Sequence, residues 1–362
     1  MTKVLIVDDS ALIRRVLSEI LSEAGFEIAV ARDGVEALAK VGTFLPDVVT
    51  LDVQMPNMSG LECLDRIMLQ RPCPVVMVSS LTAEGAEETL TALELGAVDF
   101  VPKPDGVVSL ATEDLAPVLV EKILAAATAR VGRAHRLVER LRARRGETKA
   151  PARSAPPVRA LRAAGGQTGD EPKGLVLVGA STGGPAALEA LLSEVPGDFP
   201  WPILVAQHMP ATFTGSLASR LDGLCALAVT EVTGPTFLEA GVVHIARGGA
   251  DMVVSRRASG LVALPAPADA KYRWHPSVDR LVASAMTQVA PERLVGVLMT
   301  GMGDDGASTM AGLRKAGGLT IAEAEETAVV WGMPGALVKA GGADAVEPLE
   351  AIASRLVSMV PR

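Results

Sequence analysis

Short apolar runs alternate with amphipathic segments along residues 3–104. Five runs are predicted to be strands because they are short, apolar and rich in β-branched side chains: residues 4–7, 27–31, 48–51, 75–79 and 100–101. Helical spacing of apolar positions follows each run, for example at residues 11–24 and 84–95, and a glycine ends both of these segments. Five strand–helix repeats of this kind predict a parallel sheet with helices on both faces.

A second pattern of the same type begins at Gly174 and runs toward the C-terminus. Apolar runs predict buried strands at residues 174–180, 202–210, 242–246, 252–255 and 294–302. Amphipathic segments predict helices at residues 186–195 and 306–317. The pattern indicates a second, doubly wound α/β domain, and a chain of 362 residues is long enough for two separate cores.

The segment between the two patterns differs in composition. Residues 130–162 hold eleven Lys or Arg against two Glu, and a mixture of Pro, Ala and Arg follows residue 150. A helix is predicted to continue to about residue 145, with a flexible linker after it. The basic segment is expected to be a solvated tether attracted to its acidic neighbours, and binding of nucleic acid or an acidic partner is the alternative. The predicted divisions are residues 1–125, 126–172 and 173–362.

Composition narrows the classes of function. Hydrophobic residues make up 49% and charged residues 21% of the chain, which suits globular structure. Aromatics are 3% and the net charge is −8, so the chain as a whole is not expected to bind nucleic acid. The N-terminus has no signal-peptide pattern, and no apolar run is long enough to span a membrane. A cytoplasmic protein that is not embedded in a membrane is therefore expected.

Charged and hydroxyl side chains collect where the predicted strands of the first domain end. Asp8 and Asp9 end the first strand, Asp52 ends the third and Lys103 ends the fifth. The carboxyl ends of parallel strands form one crevice, so these side chains are expected to lie together. Three carboxylates there repel one another unless a hard divalent cation neutralises them, and Mg2+ fits oxygen ligands of this kind. Acids that cap successive helices are the alternative, but they leave the lysine without a role.

Four segments of the first domain, VLIVDDS, LDVQMPNMSG, VVMVSS and DFVPKP, together resemble the receiver domain of two-component response regulators. The resemblance covers about 120 residues and implies a flavodoxin-like fold that a histidine kinase phosphorylates. Carried over by position, it implies these roles: Asp52 as phosphoacceptor, Asp8, Asp9 and Asp52 with the backbone carbonyl of Gln54 as Mg2+ ligands, Ser79 as switch hydroxyl, and Lys103 as the cation that contacts the phosphoryl group. Ser80 stays an alternative to Ser79, and a cis Lys103–Pro104 bond is also implied.

Ser181 stands on a predicted glycine turn between a strand and a helix, in the segment GLVLVGASTGGPAALEALL. The first turn of a helix offers unpaired N–H groups and a positive potential, which favour an alkoxide or a bound oxyanion. The segment lacks the spacing of a dinucleotide or phosphate-binding loop, so a nucleotide site is the weaker interpretation. Ser181 is therefore the candidate nucleophile.

A serine nucleophile needs a base and an acid that orients the base. His208 is favoured as the base because it ends a strand at the same sheet edge as Ser181, whereas His244 lies within an apolar strand and His275 lies in a loop. The acid is expected to be Asp304 or Asp305, which follow another buried strand. The chain order Ser, His, Asp and the missing G-x-S-x-G motif exclude an ordinary lipase-type esterase.

The segments VGASTGG, VAQHMP, PSVDRL, VLMTGMGDDGA and WGMPGA resemble the catalytic domain of the chemotaxis protein-glutamate methylesterases of the CheB type. The resemblance runs from about residue 173 to the C-terminus and implies these roles: Ser181 as nucleophile, His208 as base, Asp305 as orienting acid, and Thr182 and the Met302 N–H as oxyanion and positioning groups. It implies hydrolysis of glutamate methyl esters on the cytoplasmic helices of chemoreceptors, with possible glutamine deamidation and without a cofactor in this domain. The segment HIARGGADM departs from the family pattern, so Arg247 and Asp251 are expected to alter a loop near the site.

The two resemblances together imply that the receiver covers the triad until phosphorylation of Asp52 moves it. The same hydrolase in a chemosensory pathway other than motility is one alternative function. A response regulator with a non-catalytic, partner-binding output domain is another.

Overall fold

A computed structural model describes residues 1–80, 82–103, 108–129 and 172–361, except for the side chains of residues 83 and 108–114. The elements below are numbered within these residues. Residues 130–171 of the predicted basic linker and Pro104 of the predicted cis bond lie outside them.

The first domain is a five-stranded parallel sheet with helices on both sides, as the sequence pattern predicts. Its strands pair in the order β2-β1-β3-β4-β5. The strands are β1 (Lys3–Val7), β2 (Glu27–Ala31), β3 (Val48–Asp52), β4 (Val75–Ser79) and β5 (Asp99–Pro102). The helices are α1 (Ala11–Glu23), α2 (Gly34–Phe44), α3 (Gly60–Gln70), α4 (Ala83–Leu95) and α5 (Val108–Thr128).

Local chemistry sets the bounds of these helices. Asp33 caps α2 by accepting the Glu36 N–H, and Thr82 caps α4 by accepting the Gly85 N–H. Gly96 ends α4 with φ 108°, a left-handed conformation that glycine adopts without strain. β3 and β4 are buried along their whole length, as strands covered on both faces must be.

The second domain is built on a seven-stranded sheet with the order β15-β14-β13-β6-β7-β10-β8, and all of its pairings are parallel. The strands are β6 (Leu175–Ala180), β7 (Ile203–Gln207), β8 (Ala228–Val232), β10 (Val242–Ala246), β13 (Leu294–Leu298), β14 (Leu319–Glu323) and β15 (Ala345–Glu347). The helices are α6 (Gly184–Leu192), α7 (Ala211–Leu224), α8 (Val278–Gln288), α9 (Ala307–Lys315), α10 (Met333–Lys339) and α11 (Leu349–Met359). The strand order reverses beside β6, and this is the edge where ligands bind in sheets of this class.

The second domain also contains a small antiparallel sheet that the doubly wound pattern does not predict. It consists of β9 (Thr236–Phe237), β11 (Ala250–Arg257) and β12 (Gly260–Pro267), in the order β11-β12-β9. The segment predicted at residues 252–255 lies in this sheet. One face of β11 packs on α8, so the hairpin supports the helix that begins at Val278.

The two domains contact each other through α4 and β5 of the first and α6 and α7 of the second. The rings of Phe100 and Phe213 are 4.3 Å apart between centroids, and Arg220 on α7 pairs with Glu94 on α4. Among the described residues, no helix is both long and apolar enough to cross a membrane.

Candidate active site and phosphoacceptor pocket

Ser181 follows directly on β6, at the point where the strand order reverses. Its N–H donates to the Thr300 carbonyl at 3.0 Å, and Gln207 Nε2 donates to its carbonyl at 2.9 Å. Gly183 then turns the chain with φ 77°, and a Cβ at that position would lie 2.8 Å from Val329. Contacts to Thr300, Gln207 and Val329 therefore fix the turn. Helix α6 begins at Gly184 with Pro185 in its first turn.

His208 lies beside Ser181 because their two strands pair in register. Ala180 is paired with Gln207, so Ser181 and His208 are the next residues on neighbouring strands, and the His208 N–H donates to the Ala180 carbonyl at 3.0 Å. His208 Nε2 lies 2.8 Å from Asp305 Oδ2. Its Nδ1 is buried and has no hydrogen-bond partner among the residues that the structure describes. The ring nitrogen that can accept a proton from a substrate or nucleophile is therefore Nδ1.

Asp305 is held at the N-terminus of α8. Besides His208, its carboxylate accepts the N–H of Val278 at 2.7 Å and of Asp279 at 3.0 Å, and the Ser277 hydroxyl at 3.1 Å. Burial alone would raise the pKa of Asp305. The hydrogen bond and charge of His208 and the two N–H donors outweigh burial, so the pKa lies below its ordinary value. The carboxylate is thus ionised and rigidly placed.

The structure separates the two adjacent acids that sequence reasoning alone could not. Asp305 is buried and bonded to His208, whereas Asp304 is exposed. The carbonyl of Asp304 accepts the Ala307 N–H, which is a turn contact at the start of α9. Asp305 is therefore the acid that can orient the base.

Asp251 forms a second carboxylate centre, which the sequence did not reveal as such. Its buried side chain accepts the Ser277 N–H at 2.8 Å, pairs with Arg280 at 2.7 Å and lies 3.0 Å from His275 Nδ1. Asp251 therefore fixes the segment that holds Asp305. His275 belongs to this supporting group and bonds to Asp251 rather than to Asp305. Arg247 is exposed and precedes a loop packed on residues 209–211, just after His208.

The wall opposite His208 is formed by residues 299–303. The Thr300 hydroxyl donates to the Thr182 carbonyl at 2.9 Å, which ties this wall to the Ser181 turn. A Cβ on Gly301 would lie 2.7 Å from Ser181 Cβ, so glycine is needed where the two segments meet. Met302 is buried and comes next along the chain. The oxyanion and positioning roles of Thr182 and the Met302 N–H stay predictions.

Glu323 supports this wall from behind, and sequence reasoning did not find it. It is fully buried at the end of β14, accepts the Thr300 N–H at 2.8 Å and accepts the Thr327 hydroxyl at 3.1 Å. Burial raises its pKa to about 7, against the lowering effect of these two donors.

Trp274 covers the imidazole of His208. The two rings are stacked with centroids 5.3 Å apart and planes 15° apart, and the guanidinium of Arg273 lies 5.2 Å from the Trp274 ring. This stack limits rotation of the His208 ring.

The first domain reaches into the active site with two acidic side chains. The Thr182 hydroxyl donates to Asp99 Oδ2 at 2.5 Å, and Lys122 on α5 holds Asp99 Oδ1 at 2.6 Å. Glu121 pairs with Arg273 at 2.5 Å. The residue after the candidate nucleophile is therefore already engaged by the first domain.

Asp8, Asp9 and Asp52 lie together at the carboxyl edge of the first sheet, and ligand oxygens from all three fall within 4.8 Å of one another. Lys103 Nζ is 2.9 Å from Asp8 and 2.8 Å from Asp52. Burial raises the pKa of Asp52 to about 6, Asp8 raises it too, and Lys103 opposes both. The spacing and chemistry of these oxygens fit Mg2+, which would relieve their repulsion.

Ser79 ends β4 and is fully buried, with its hydroxyl donating to the Gly85 carbonyl at 3.1 Å. Ser80 is partly exposed, and its hydroxyl lies 3.2 Å from the Thr82 hydroxyl. The Gln54 N–H donates to Asp52 at 3.4 Å, and its side chain is directed to Glu88. The switch role of Ser79 and the Mg2+ role of the Gln54 carbonyl stay predictions.

Comparison with known proteins supplies the family. Residues 4–112 match the response regulator receiver domain and residues 176–356 match the CheB methylesterase family. The protein-glutamate methylesterase/protein-glutamine glutaminase 2 of Rhodopseudomonas palustris (strain BisB18) is 55% identical over 361 residues, which cover 99% of this chain and 98% of that protein. A protein of the same description from Vibrio cholerae, numbered 3, is 44% identical, with 93% of this chain and 90% of that protein covered.

A solved structure agrees with these matches. The crystal structure of the Thermotoga maritima CheB methylesterase catalytic domain aligns with a TM-score of 0.50 at 35% identity, and the alignment covers 52% of this chain and 98% of that one. The chain therefore belongs to the CheB methylesterase family and is a carboxylic ester hydrolase joined to a response regulator receiver domain.

Proposed function

We propose that this enzyme hydrolyses glutamate γ-methyl esters on the cytoplasmic helices of chemoreceptors, with Ser181, His208 and Asp305 as its catalytic triad. The observation that carries the proposal is the convergence of three strand ends. Ser181 and His208 follow paired strands, and Asp305 lies 2.8 Å from His208 while three further donors hold its carboxylate. Asp305 thus holds Nε2 of the base, and the unpartnered Nδ1 of His208 is the nitrogen that would take the proton of Ser181.

The reaction follows from these positions. Ser181 Oγ attacks the ester carbonyl while His208 Nδ1 takes its proton, and the imidazolium is stabilised by Asp305 through Nε2. The negative charge that develops on the carbonyl oxygen is met by the Thr182 hydroxyl and the Met302 N–H. Collapse of the tetrahedral adduct breaks the bond to the methoxy group, which leaves as methanol with the proton from His208.

The acyl-enzyme is resolved by water. His208 Nδ1 accepts a proton from the water as its oxygen attacks the acyl carbon, and Ser181 leaves with that proton, which gives a glutamate side chain. A glutamine side chain gives the same acyl-enzyme with ammonia as leaving group, so one site serves both reactions.

Control of this chemistry is assigned to the receiver. A histidine kinase would supply the phosphoryl group to Asp52, and Asp8, Asp9, Asp52 and the Gln54 carbonyl would hold Mg2+. The ion supplies positive charge that offsets the carboxylates and the incoming phosphoryl group. Ser79 and Lys103 then contact the phosphoryl oxygens.

The unphosphorylated receiver is proposed to inhibit the enzyme by blocking access of the substrate to the triad. The bond from Thr182 to Asp99 and the packing of Phe100 on Phe213 support this, because both occur on the side of the receiver that faces the active site. A rearrangement of β5 and α4 on phosphorylation would withdraw Asp99 from Thr182.

The proposal is tested by measuring methanol release from a methylated chemoreceptor cytoplasmic fragment. We expect the full-length enzyme to release methanol and to release it faster with acetyl phosphate and Mg2+. Ser181→Ala is expected to lower the rate by several orders of magnitude with an unchanged circular dichroism spectrum. More than about a tenth of the wild-type rate in this variant would exclude Ser181 as nucleophile.

A further inference from the structure

Two carboxylates of the receiver bind side chains of the active site. Asp99 accepts the hydrogen bond of the Thr182 hydroxyl, and Glu121 forms an ion pair with the Arg273 guanidinium. In the proposed mechanism the same Thr182 hydroxyl contacts the carbonyl oxygen of the substrate. The reaction produces a γ-carboxylate beside Thr182, so Asp99 Oδ2 occupies a position suited to the product. The segment that fills the site in this state is thus an acidic one.

Arg273 is close to the reacting groups, yet the mechanism gives it no role. It stacks on Trp274, and Trp274 stacks on the imidazole of His208. Its side chain stays 70% exposed in spite of the bond to Glu121, so the guanidinium has unused donors facing solvent. Arginine presents several N–H donors in a plane that matches a carboxylate, and its stacked position reduces the freedom it loses on binding.

The bond to Glu121 contributes little as a clamp between the domains. The Arg273 side of the pair is exposed, so water screens the attraction and the pair contributes little to stability. Such a pair is readily exchanged, so a competing carboxylate can replace Glu121 once the receiver moves.

We propose that Arg273 is a specificity-determining residue that binds a carboxylate flanking the methyl ester on the receptor segment, and that Glu121 occupies it in the inhibited state as an internal acidic mimic. This rests on the proposed methylesterase function. The preferred substrate is accordingly an acidic polypeptide segment, with the ester at Ser181 and a free carboxylate at Arg273.

The first test separates recognition from chemistry in the full-length enzyme activated by acetyl phosphate and Mg2+. With a methylated receptor fragment, we expect Arg273→Gln to raise KM about tenfold and to leave kcat within about twofold. Hydrolysis of 4-nitrophenyl acetate, which has no flanking carboxylate, is expected to be unchanged. The matched control is Lys271→Gln, which removes the same charge from the same exposed loop and is expected to change KM less than twofold.

Ionic strength gives a readout that a structural role would not change. Added salt screens exposed charges, so KM of the wild type is expected to rise with salt more steeply than KM of Arg273→Gln. An unchanged KM in Arg273→Gln, or an equal loss on 4-nitrophenyl acetate, would overturn the proposal.

A charge exchange tests the mimic. Glu121→Arg is expected to raise activity without phosphodonor several-fold, and the double variant Glu121→Arg/Arg273→Glu is expected to restore the ion pair and lower that activity again. The double variant should keep the high KM for the receptor fragment, because its own carboxylate now repels the substrate. Recovery of the wild-type KM by the double variant would contradict the inference. Absence of methanol release by the wild type would instead refute the proposed function.

Discussion

Two carboxylate centres lie at the carboxyl edges of two parallel sheets in this chain, and their electrostatics are opposite. In the receiver, Asp52 is buried beside Asp8 with Lys103 as its ion-pair partner, and burial with the neighbouring acid raises its pKa to about 6. In the catalytic domain, burial also raises the pKa of Asp305, but His208 and the N–H groups of Val278 and Asp279 outweigh this and lower it.

The difference shows what one topology can support. A carboxylate cluster with too few donors is poised to take up a cation and a phosphoryl group, so its state changes with its ligands. A carboxylate saturated with donors is fixed in one position and one charge state, which suits a group that orients a catalytic base. The strand ends supply the location, and the donors around each acid decide its role.

The largest effect is expected from replacing His208, the base that Asp305 holds. His208→Ala removes the only acceptor that the triad assigns to the Ser181 proton, so kcat should fall by about 10⁵-fold or more. His275→Ala serves as the control, because His275 bonds to Asp251 and lies outside the triad. Its kcat should fall by no more than about tenfold. Methanol release measures both, and a greater loss in His275→Ala would reverse the assignment.

The orienting acid should have the next largest effect. Asp305→Asn replaces the acceptor of His208 by an amide and places that amide against N–H donors, so kcat should fall by about 10³- to 10⁴-fold. Its exposed neighbour gives a matched control, and Asp304→Asn should stay within about twofold. Equal losses of kcat in the two variants would contradict the assignment of Asp305, and not Asp304, as the acid that orients His208.

Replacement of Asp52 in the receiver should change the regulation of the enzyme and leave its catalytic chemistry intact. Asp52→Asn removes the phosphoacceptor, so the stimulation by acetyl phosphate and Mg2+, expected to be about 5- to 100-fold in the wild type, should disappear. Asp47→Asn is the control, since Asp47 is exposed and precedes β3 at the other end of the same strand. Equal stimulation of wild type and Asp52→Asn would contradict the assignment of Asp52 as phosphoacceptor.

The smallest expected effect concerns a buried histidine, His244, whose ring makes no hydrogen bond within the described part of the chain. His244 is 1% exposed on β10, neither ring nitrogen has a hydrogen-bond partner among the described residues, and burial lowers its pKa from 6.5 to about 4. Below pH 6.5 the unfolded chain therefore binds a proton that the folded chain does not, and the free energy of unfolding falls with pH down to about 4.

Replacement of His244 by Leu removes this contribution. Relative to its value at pH 7.5, the free energy of unfolding of the wild type should lose about 2 kcal/mol more than that of His244→Leu on going to pH 5. Urea unfolding of both proteins at the two pH values measures the difference. A difference that does not change with pH would mean that folding leaves the pKa of His244 unchanged.

The fold was predictable from the sequence where the hydrophobic pattern is regular. The five receiver strands lie within one or two residues of their predicted bounds, because buried parallel strands are continuous apolar runs. Part of β11 was predicted at residues 252–255, but β12, the interior strand β14 and the edge strands β8 and β15 were missed. The edge strands mix polar and apolar residues, which hides the strand pattern.

The candidate site was predictable to the level of strand ends. The positions of Ser181 and His208 followed from the strand-end rule, whereas only the family resemblance separated Asp305 from Asp304. The contacts of Asp99 and Glu323 could not be found in this way, because their partners are 83 and 23 residues away along the chain and no pattern marks them. The role of Asp251 was missed because the sequence suggested an altered loop, whereas its side chain anchors the start of α8.

The bond between Thr182 and Asp99 joins parts of one polypeptide, so the receiver acts on the site at an effective concentration and not at the concentration of the protein in the cell. For segments linked in one chain, this local concentration is on the order of millimolar. Contacts that would be negligible between separate molecules are then sufficient to keep the site occupied, and dilution does not weaken them. A change of about 1–2 kcal/mol in the docking of the domains is within the range of allosteric coupling and would be enough for the proposed substrate to replace the receiver at the site.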